Sequence, residues 1–221
     1  MRRGPTAEPG EVGDGGIALV WSWPVPARRY RPWPGKLSKQ IVEGTASQVK
    51  LPQGGTCLDV GCGSGALSIA VARRNPLASV VGADRWGAEY ASYTKELCEF
   101  NAMAEGASNV RFERADAVKL PYADESFDAV TSNYVYHNVT GADKQALLRE
   151  TLRCLKKGGT FAIHDIMTPA RYGNMQAFCQ SLRNEGYEDV QLVATDDGLF
   201  MDKAEAAVMM LAGSTLLVGT K

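Results

Sequence analysis

The glycine-rich segment 58–65, with the sequence LDVGCGSG, restricts the fold of this chain more than any other feature. It overlaps the end of a short apolar run at residues 56–60 and precedes a segment of helical periodicity at about 66–74. Glycines allow the backbone to turn sharply and to approach a ligand closely, and the first turn of a helix has N–H groups without helical partners. This pattern predicts a strand, a tight turn and a helix whose first turn faces a polar ligand.

Short apolar runs alternate with helical segments along the rest of the chain. The predicted strands are residues 56–60, 79–83, 110–115, 127–132, 160–165, 190–195 and 214–220. The predicted helices are residues 36–49, 66–74, 88–104, 142–155, 175–185 and 203–211, with a turn at Gly158 and Gly159 before the fifth strand. This alternation is typical of βαβ units with right-handed crossovers. We therefore expect a doubly wound, Rossmann-like α/β fold with a seven-stranded sheet, mostly parallel, and an antiparallel last strand at its edge.

The N-terminal part differs in composition from the rest of the chain. Residues 1–16 are rich in Gly, Pro and Glu, which predicts a disordered leader. Residues 17–34 combine aromatic residues with prolines, which predicts either an irregular lid over the domain or a contact with a membrane surface or a partner. The remaining residues, 35–221, have the length of one folded domain.

Charge, hydropathy and cysteine content restrict the partners. The 24 Lys and Arg residues nearly balance the 25 Asp and Glu residues, so we expect no nucleic acid partner. The apolar stretch near the N-terminus is shorter than the roughly 20 residues of a membrane helix, so we expect no integral membrane span. The five cysteines are odd in number and lack the paired spacing of a zinc site. They predict reduced thiols, no bound metal and a cytoplasmic location.

Three acidic residues, Asp59, Asp84 and Asp116, stand at the ends of predicted strands. Asp59 precedes the first glycine of the turn by two residues. Its carboxylate would repel a pyrophosphate but could pair, directly or through water, with the ammonium group of an amino acid. The glycine spacing alone is less specific, because it also fits the G-x-G-x-x-A variant of a dinucleotide-binding turn.

The turn resembles motif I of the class I S-adenosylmethionine-dependent methyltransferases, and the similarity continues in order from residue 35 to residue 165. It is nearest to the ubiquinone/menaquinone-type and other small-molecule enzymes. The resemblance implies S-adenosylmethionine as cofactor, transfer of its methyl group to a small-molecule acceptor by in-line displacement, and residues 35–221 as the methyltransferase domain. The residues that it places at the cofactor are Asp59, Gly61, Cys62, Gly63, Gly65, Asp84, Arg85, Trp86, Asp116, Ala117, Asn133 and Tyr134.

The resemblance also implies what the residues after the second and third strands do. Asp84 would accept hydrogen bonds from the ribose hydroxyls, and Arg85 and Trp86 would lie against the adenine. Asp116 would accept a hydrogen bond from the exocyclic amine of adenine, and the N–H of Ala117 would meet a ring nitrogen.

The segment after the fourth strand is implied at the methionine end of the cofactor, where Asn133 and Tyr134 would border it. His137 follows in the same segment and is a candidate general base, although it could equally bond the loop or the cofactor. His164 lies in the predicted fifth strand, either as a histidine with satisfied hydrogen bonds or as a contact for the acceptor. Asp128 is implied as a structural residue.

Other interpretations stay open. An NAD(P)-dependent oxidoreductase would share the glycines and Asp84 but would leave Asp59 and Asp116 without a role. A non-catalytic S-adenosylmethionine-binding module would keep the cofactor site without turnover. The three acidic residues could also act as caps, and Trp86 as a core residue. The sequence SNYVY stands where the amino-methylating DNA and RNA enzymes carry N/D-P-P-Y/F, which argues against that class.

Overall fold

The computed structural model describes residues 36–87 and 92–221. The strands are β1 Thr56–Val60, β2 Ser79–Asp84, β3 Val110–Arg114, β4 Phe127–Asn133, β5 Leu155–Ile166, β6 Glu188–Ala194 and β7 Ser214–Thr220. The helices are α1 Lys36–Ala46, α2 Ala66–Arg74, α3 Lys95–Ala104, α4 Lys144–Arg153, α5 Pro169–Tyr172, α6 Met175–Asn184 and α7 Lys203–Val208. The predicted leader, the aromatic segment 17–34 and the first residues of the helix predicted at 88–104 lie outside the described ranges.

The seven strands form one sheet in the order β3-β2-β1-β4-β5-β7-β6. The strands from β1 to β5 pair in parallel, which confirms the predicted doubly wound arrangement. Buried side chains of α1, α2 and α3 cover one face of the sheet, and those of α4, α5 and α6 cover the other. Since the chain moves outward from β1 in one direction and from β4 in the other, the carboxyl ends of these two strands form the switch point at which ligands of open α/β sheets bind. We refer to the space beside these two strand ends as the crevice.

The last strand is antiparallel, as predicted, but it does not lie at the edge of the sheet. β7 pairs with β5 on one side and with β6 on the other. Its Leu216 and Leu217 are 2% and 0% exposed, so both faces of this strand are covered. β6 carries exposed residues such as Glu188 and Gln191 and therefore suits the edge. The predicted edge position of the last strand is wrong because burial, rather than the length of the connection, decides which strand lies inside.

The start of β5 also differs from the prediction. The strand begins at Leu155 and continues through Gly158 and Gly159, where a turn is predicted. Gly158 has a φ of +75°, and its N–H donates to the carbonyl oxygen of Lys221. The two glycines therefore pair with the end of the chain instead of reversing its direction.

Side-chain caps decide where two helices begin. The Thr94 hydroxyl accepts a hydrogen bond from the N–H of Leu97 over 3.1 Å, so α3 begins after Thr94, and the helix predicted at 88–104 does not run through residues 92–94. The Asp143 carboxylate accepts one from the N–H of Ala146 over 2.7 Å at the start of α4. The other boundaries agree with the sequence pattern to within three residues.

Candidate active site

The glycine turn between β1 and α2 lies beside the crevice at the carboxyl end of the sheet. Gly61 has a φ of +70°, and a Cβ atom there would lie 2.4 Å from both Cγ atoms of Val135. Gly65 has a φ of +86°, and a Cβ atom there would lie 2.9 Å from the ring of Phe112. Gly63, with a φ of +56°, is the least crowded of the three, because a Cβ atom there would make only an ordinary contact with the Tyr93 ring at 3.9 Å. The turn therefore requires glycine at Gly61 and Gly65 and is least crowded at its centre.

Asp84, at the end of β2, supports this turn. Its Oδ2 atom accepts the N–H of Gly63 over 2.8 Å, and its Oδ1 atom accepts the N–H of Trp86 over 2.8 Å. Each carboxylate oxygen can accept a second hydrogen bond, and Asp84 is only half-buried. Asp84 is therefore available to a further donor at the place where the sequence predicts a ribose, and that contact stays a prediction.

Trp86 lies over the same turn. Its indole Nε1–H donates to the carbonyl oxygen of Gly63 over 3.1 Å, and the half-buried ring packs against the core on the α2 side of the sheet. The φ of Trp86 is +43°, in the left-handed region that residues other than glycine rarely adopt. Cys62 is 8% exposed in the same core, whereas Arg85 is exposed. The contacts of Arg85 and Trp86 with adenine stay predictions.

Asp59 lies beneath the turn rather than in the crevice. It is 1% exposed, and its two oxygens accept hydrogen bonds from the hydroxyls of Ser68 over 2.5 Å and Thr131 over 2.9 Å. Burial raises the pKa of Asp59 to about 7, while the bonds from the Ser68 and Thr131 hydroxyls and from the Ser68 N–H act in the opposite direction. Asp59 thus holds the first turn of α2 through the Ser68 hydroxyl. Its pairing with an ammonium group stays a prediction. Because Asp59 is buried, a contact through water is favoured over a direct one.

Asp116 and Ala117 follow β3, the outer neighbour of β2. Asp116 is exposed, and its Oδ1 atom accepts the N–H of Val118 over 2.9 Å. Ala117 is half-buried. Because β1, β2 and β3 are adjacent and parallel, Asp59, Asp84 and Asp116 lie at the same end of the sheet. Asp84 and Asp116 are accessible there, and Asp59 is not.

Asn133 and Tyr134 lie at the end of β4, on the other side of the crevice. The Asn133 Oδ1 atom accepts Nδ1–H of His164 over 2.8 Å, and the Tyr134 hydroxyl lies 2.7 Å from Oγ of Ser214. Burial raises the pKa of Tyr134. The Nε2 atom of His164 bonds the Thr195 hydroxyl over 2.7 Å, and burial lowers the pKa of His164 to about 4. His164 is therefore a neutral histidine with both ring nitrogens satisfied, in agreement with the first of its two interpretations.

His137 and Asp165 form a hydrogen-bonded pair near the ends of β4 and β5. Nδ1 of His137 lies 2.5 Å from Oδ1 of Asp165, and the His137 N–H donates to Oδ2 over 3.2 Å. Asp165 is 0% exposed and also accepts the N–H of Ile166 over 2.7 Å. Burial raises the pKa of Asp165, but the hydrogen bond and charge of His137 outweigh it, so the pKa lies below its ordinary value. An ionised carboxylate is thus aligned on one imidazole nitrogen.

The sequence pattern indicates His137 as a candidate base but does not indicate Asp165 as its partner. The available signal was an aspartate near the end of the apolar strand β5, since a carboxylate inside an apolar run requires a partner. Tyr136, between Tyr134 and His137, turns into the core instead, with its hydroxyl 2.6 Å from that of Thr151.

Asp128 lies at the opposite end of β4 from this site. Its Oδ2 atom accepts the N–H of Thr56 over 2.8 Å, and its Oδ1 atom pairs with Lys156 over 2.9 Å, which confirms a structural role. Over residues 36–87 and 92–221, no three His, Cys, Asp or Glu side chains are grouped as metal ligands. No helix in those ranges has the length and apolar character needed to cross a membrane.

Comparisons with known proteins found similar sequences. Residues 51–207 match a family model described as a methyltransferase domain. The chain is 30% identical over 166 residues to the ubiquinone/menaquinone biosynthesis C-methyltransferase UbiE of Desulfotalea psychrophila. The aligned region covers 75% of this chain and 60% of that protein. It is 28% identical over 159 residues to the 27-O-demethylrifamycin SV methyltransferase of Amycolatopsis mediterranei, which covers 72% of this chain and 56% of that protein.

The fold is also similar to that of solved structures. The crystal structure of the [4+2]-cyclase SpnF superposes with a TM-score of 0.59 at 22% identity, covering 83% of this chain and 81% of that one. This identity indicates a shared fold only. The matched region spans 60% and 56% of the two curated relatives above.

Proposed function

The chain belongs to the class I S-adenosylmethionine-dependent methyltransferase family, and on that basis we propose that it transfers a methyl group from S-adenosylmethionine to a small-molecule acceptor. The observation that carries the proposal is the glycine turn, least crowded at Gly63 and supported by Asp84, beside the point where β1 and β4 diverge. Ligands of open α/β sheets bind in such a crevice.

The residues around the turn fit this cofactor. The positive end of the α2 dipole lies at the turn and favours polar groups of a ligand. Asp84 would hold the ribose hydroxyls, and the exposed Asp116 would hold the adenine together with Ala117. Asn133 and Tyr134 would border the methionine end. When bound, S-adenosylmethionine supplies a methyl group on a positively charged sulfur, already activated for displacement.

The tasks left to the protein are alignment and the exclusion of water, because the methyl group is already activated. The Tyr134 ring, held by its hydroxyl at Ser214, offers an aromatic face that can stabilise a nearby cation. Asp59 keeps the start of α2 in place through Ser68. The segment 17–34 is our candidate for the lid that covers the acceptor.

Charge and the relatives support a small-molecule acceptor. The formal charge of the chain is −1, which provides no general attraction to a nucleic acid backbone. One curated relative is named a ubiquinone/menaquinone biosynthesis C-methyltransferase, and the other is named a 27-O-demethylrifamycin SV methyltransferase. We also propose a cytoplasmic location, in keeping with five cysteines that are all buried and unpaired.

Calorimetry with S-adenosylhomocysteine and NAD tests the cofactor. We expect S-adenosylhomocysteine to bind and NAD not to bind. Asp84→Asn should weaken binding by about tenfold or more, since a charge-assisted hydrogen bond contributes on the order of 1.5 kcal/mol. Asp128→Asn is the matched control, because it also removes a carboxylate that accepts a backbone N–H but lies at the other end of the sheet.

Each outcome separates the candidate functions. Binding of NAD alone would show a nucleotide-dependent oxidoreductase instead. Binding of S-adenosylhomocysteine, with no methyl transfer to any acceptor of a broad panel, would show a non-catalytic binding module. An equal loss of affinity in Asp84→Asn and Asp128→Asn would mean that the effect of Asp84 is structural.

A further inference from the structure

The His137 side chain is held by Asp165 at two points. The carboxylate accepts both the ring Nδ1–H and the backbone N–H of His137, at 2.5 Å and 3.2 Å. The carboxylate itself is fully buried and anchored by the N–H of Ile166. The Tyr172 hydroxyl lies close to the same carboxylate, and burial, followed by the charge of Asp165, raises the pKa of that tyrosine. The ring therefore has one fixed orientation.

This contact also determines the tautomer of His137. An ionised carboxylate only accepts hydrogen bonds, so Nδ1 carries the proton and Nε2 of the neutral ring keeps a lone pair. The chain has two histidines, and His164 uses both ring nitrogens in the core. Within residues 36–87 and 92–221, His137 alone has a ring nitrogen, Nε2, without a hydrogen-bond partner, and its side chain is 13% exposed.

His137 lies close to the glycine turn. Val135, two residues earlier, packs over Gly61, where it fills the space that a Cβ atom would need. The Tyr134 ring stands edge-on to the imidazole at a centroid distance of 6.1 Å. On the other side, the guanidinium of Arg171 in α5 reaches the His137 carbonyl over 3.5 Å. These contacts place His137 in the segment after β4 that packs on the glycine turn, on the side where the methionine end of the cofactor is proposed.

We propose that Asp165 is a positioning residue that holds His137 as a general base, and that the acceptor presents a hydroxyl group to Nε2. This inference rests on the proposed function. In the step, the acceptor oxygen forms a bond to the methyl carbon, and the carbon–sulfur bond breaks with its electron pair remaining on sulfur. The hydroxyl proton passes to Nε2, and the resulting imidazolium is stabilised by the Asp165 carboxylate.

Among oxygen, sulfur and nitrogen acceptors, the hydroxyl group is the class that needs such a base. Alcohols and most phenols are protonated at neutral pH and are weak nucleophiles until the proton leaves. A thiol, with an ordinary pKa of about 8.5, already contains some thiolate. A neutral amine attacks through its lone pair before it loses a proton. A positioned base contributes about 100- to 10,000-fold to the rate, so its presence distinguishes these acceptors.

Nitrogen-15 NMR of the histidine rings tests the positioning without any acceptor. In the complex with S-adenosylhomocysteine at pH 8, we expect His137 to be protonated on Nδ1 and not on Nε2. The variant His137→Gln assigns the signals, because only His164 remains. Asp165→Asn should populate the form protonated on Nε2, whereas Asp128→Asn should not. A His137 ring protonated on Nε2 in the unaltered protein would overturn the proposal.

Methyl transfer to matched acceptors tests the substrate class. A panel of phenols and the corresponding thiophenols, with alcohols of graded size, would be assayed at pH 8. His137→Gln should slow transfer to hydroxyl acceptors by at least about 100-fold and transfer to thiols by less than about threefold. If Asp165→Asn does not fold, the assays of His137→Gln and the NMR experiment on the unaltered protein still test the proposal.

Failure of the hydroxyl assignment and failure of the proposed function give different results. Transfer to thiols alone, transfer to none of the panel, or equal losses on both acceptor types would overturn the hydroxyl assignment while S-adenosylhomocysteine still binds. Failure of the unaltered protein to bind S-adenosylhomocysteine would instead overturn the proposed function.

Discussion

The indole Nε1–H of Trp86 donates a hydrogen bond to the carbonyl oxygen of Gly63 over 3.1 Å, which ties the segment after β2 to the turn after β1. The thiol of Cys98 in α3 reaches the same carbonyl over 3.1 Å, and Asp84 accepts the N–H of Gly63 over 2.8 Å. Both polar groups of the Gly63 backbone are therefore held by neighbouring elements. The turn keeps its shape through these contacts, as expected of a preorganised binding site.

Trp86→Phe is expected to lower the free energy of unfolding by about 1 kcal/mol, because an aromatic ring remains but the hydrogen bond to Gly63 is lost. Urea unfolding measures this change. If Trp86 also contacts adenine, S-adenosylhomocysteine should change the tryptophan fluorescence of the unaltered protein more than that of the variant, which keeps three other tryptophans. An identical fluorescence change in both proteins would contradict the adenine contact.

Gly61→Ala is expected to destabilise the protein by roughly 2 to 5 kcal/mol, because a positive φ and a clash with Val135 combine. Gly106→Ala is the matched control. Gly106 has a similar φ of +66°, but a Cβ atom there would have no neighbour within 4 Å. That variant should lose only about 1 to 2 kcal/mol. Equal losses in urea unfolding would show that Val135 yields to the added methyl group.

Because of Asp59, the free energy of unfolding should fall as pH rises. Its pKa is about 7 in the folded protein and 3.8 ordinarily, so the folded state binds the proton more tightly. The contribution of this proton to the free energy of unfolding is fully present below about pH 4 and is lost as pH rises through about 7. Its magnitude is on the order of 4 kcal/mol. Asp59→Asn should therefore gain stability relative to the unaltered protein between pH 5 and pH 8, measured by urea unfolding.

Asp128→Asn provides the control of opposite sign. Burial raises the pKa of Asp128, but the contacts with Lys156 and Thr56 outweigh it and the pKa is lowered. Its contribution to stability is present above the ordinary pKa and is lost as pH falls. A difference between Asp59→Asn and the unaltered protein that does not change with pH would contradict the raised pKa of Asp59.

The affinity for S-adenosylhomocysteine is expected to rise between pH 6 and pH 8 if Asp59 pairs with the ammonium group through water. The cationic amine would favour the ionised carboxyl, which is the minor form below a pKa of about 7. Calorimetry of the unaltered protein and of Asp59→Asn across this range measures the effect. A pH dependence that persists unchanged in Asp59→Asn would assign it to another group.

Local patterns made much of the fold predictable. β1 and α2 occur at the predicted residues 56–60 and 66–74, because apolar periodicity and the glycines between them act over a few neighbouring positions. The place of β7 between β5 and β6 was not predictable in this way. It depends on which strand buries both faces, and this is a property of the assembled sheet.

The sequence by itself determined the order of the βα units, the glycine turn and the acidic residues at the strand ends. The tertiary structure decided that Asp84 is accessible while Asp59 is buried, and that His137 rather than His164 has a ring nitrogen available. The physical reason is that these outcomes depend on hydrogen bonds between residues far apart in the chain. Thr131 reaches Asp59 across 72 positions and His137 reaches Asp165 across 28, and strand order brings each pair together.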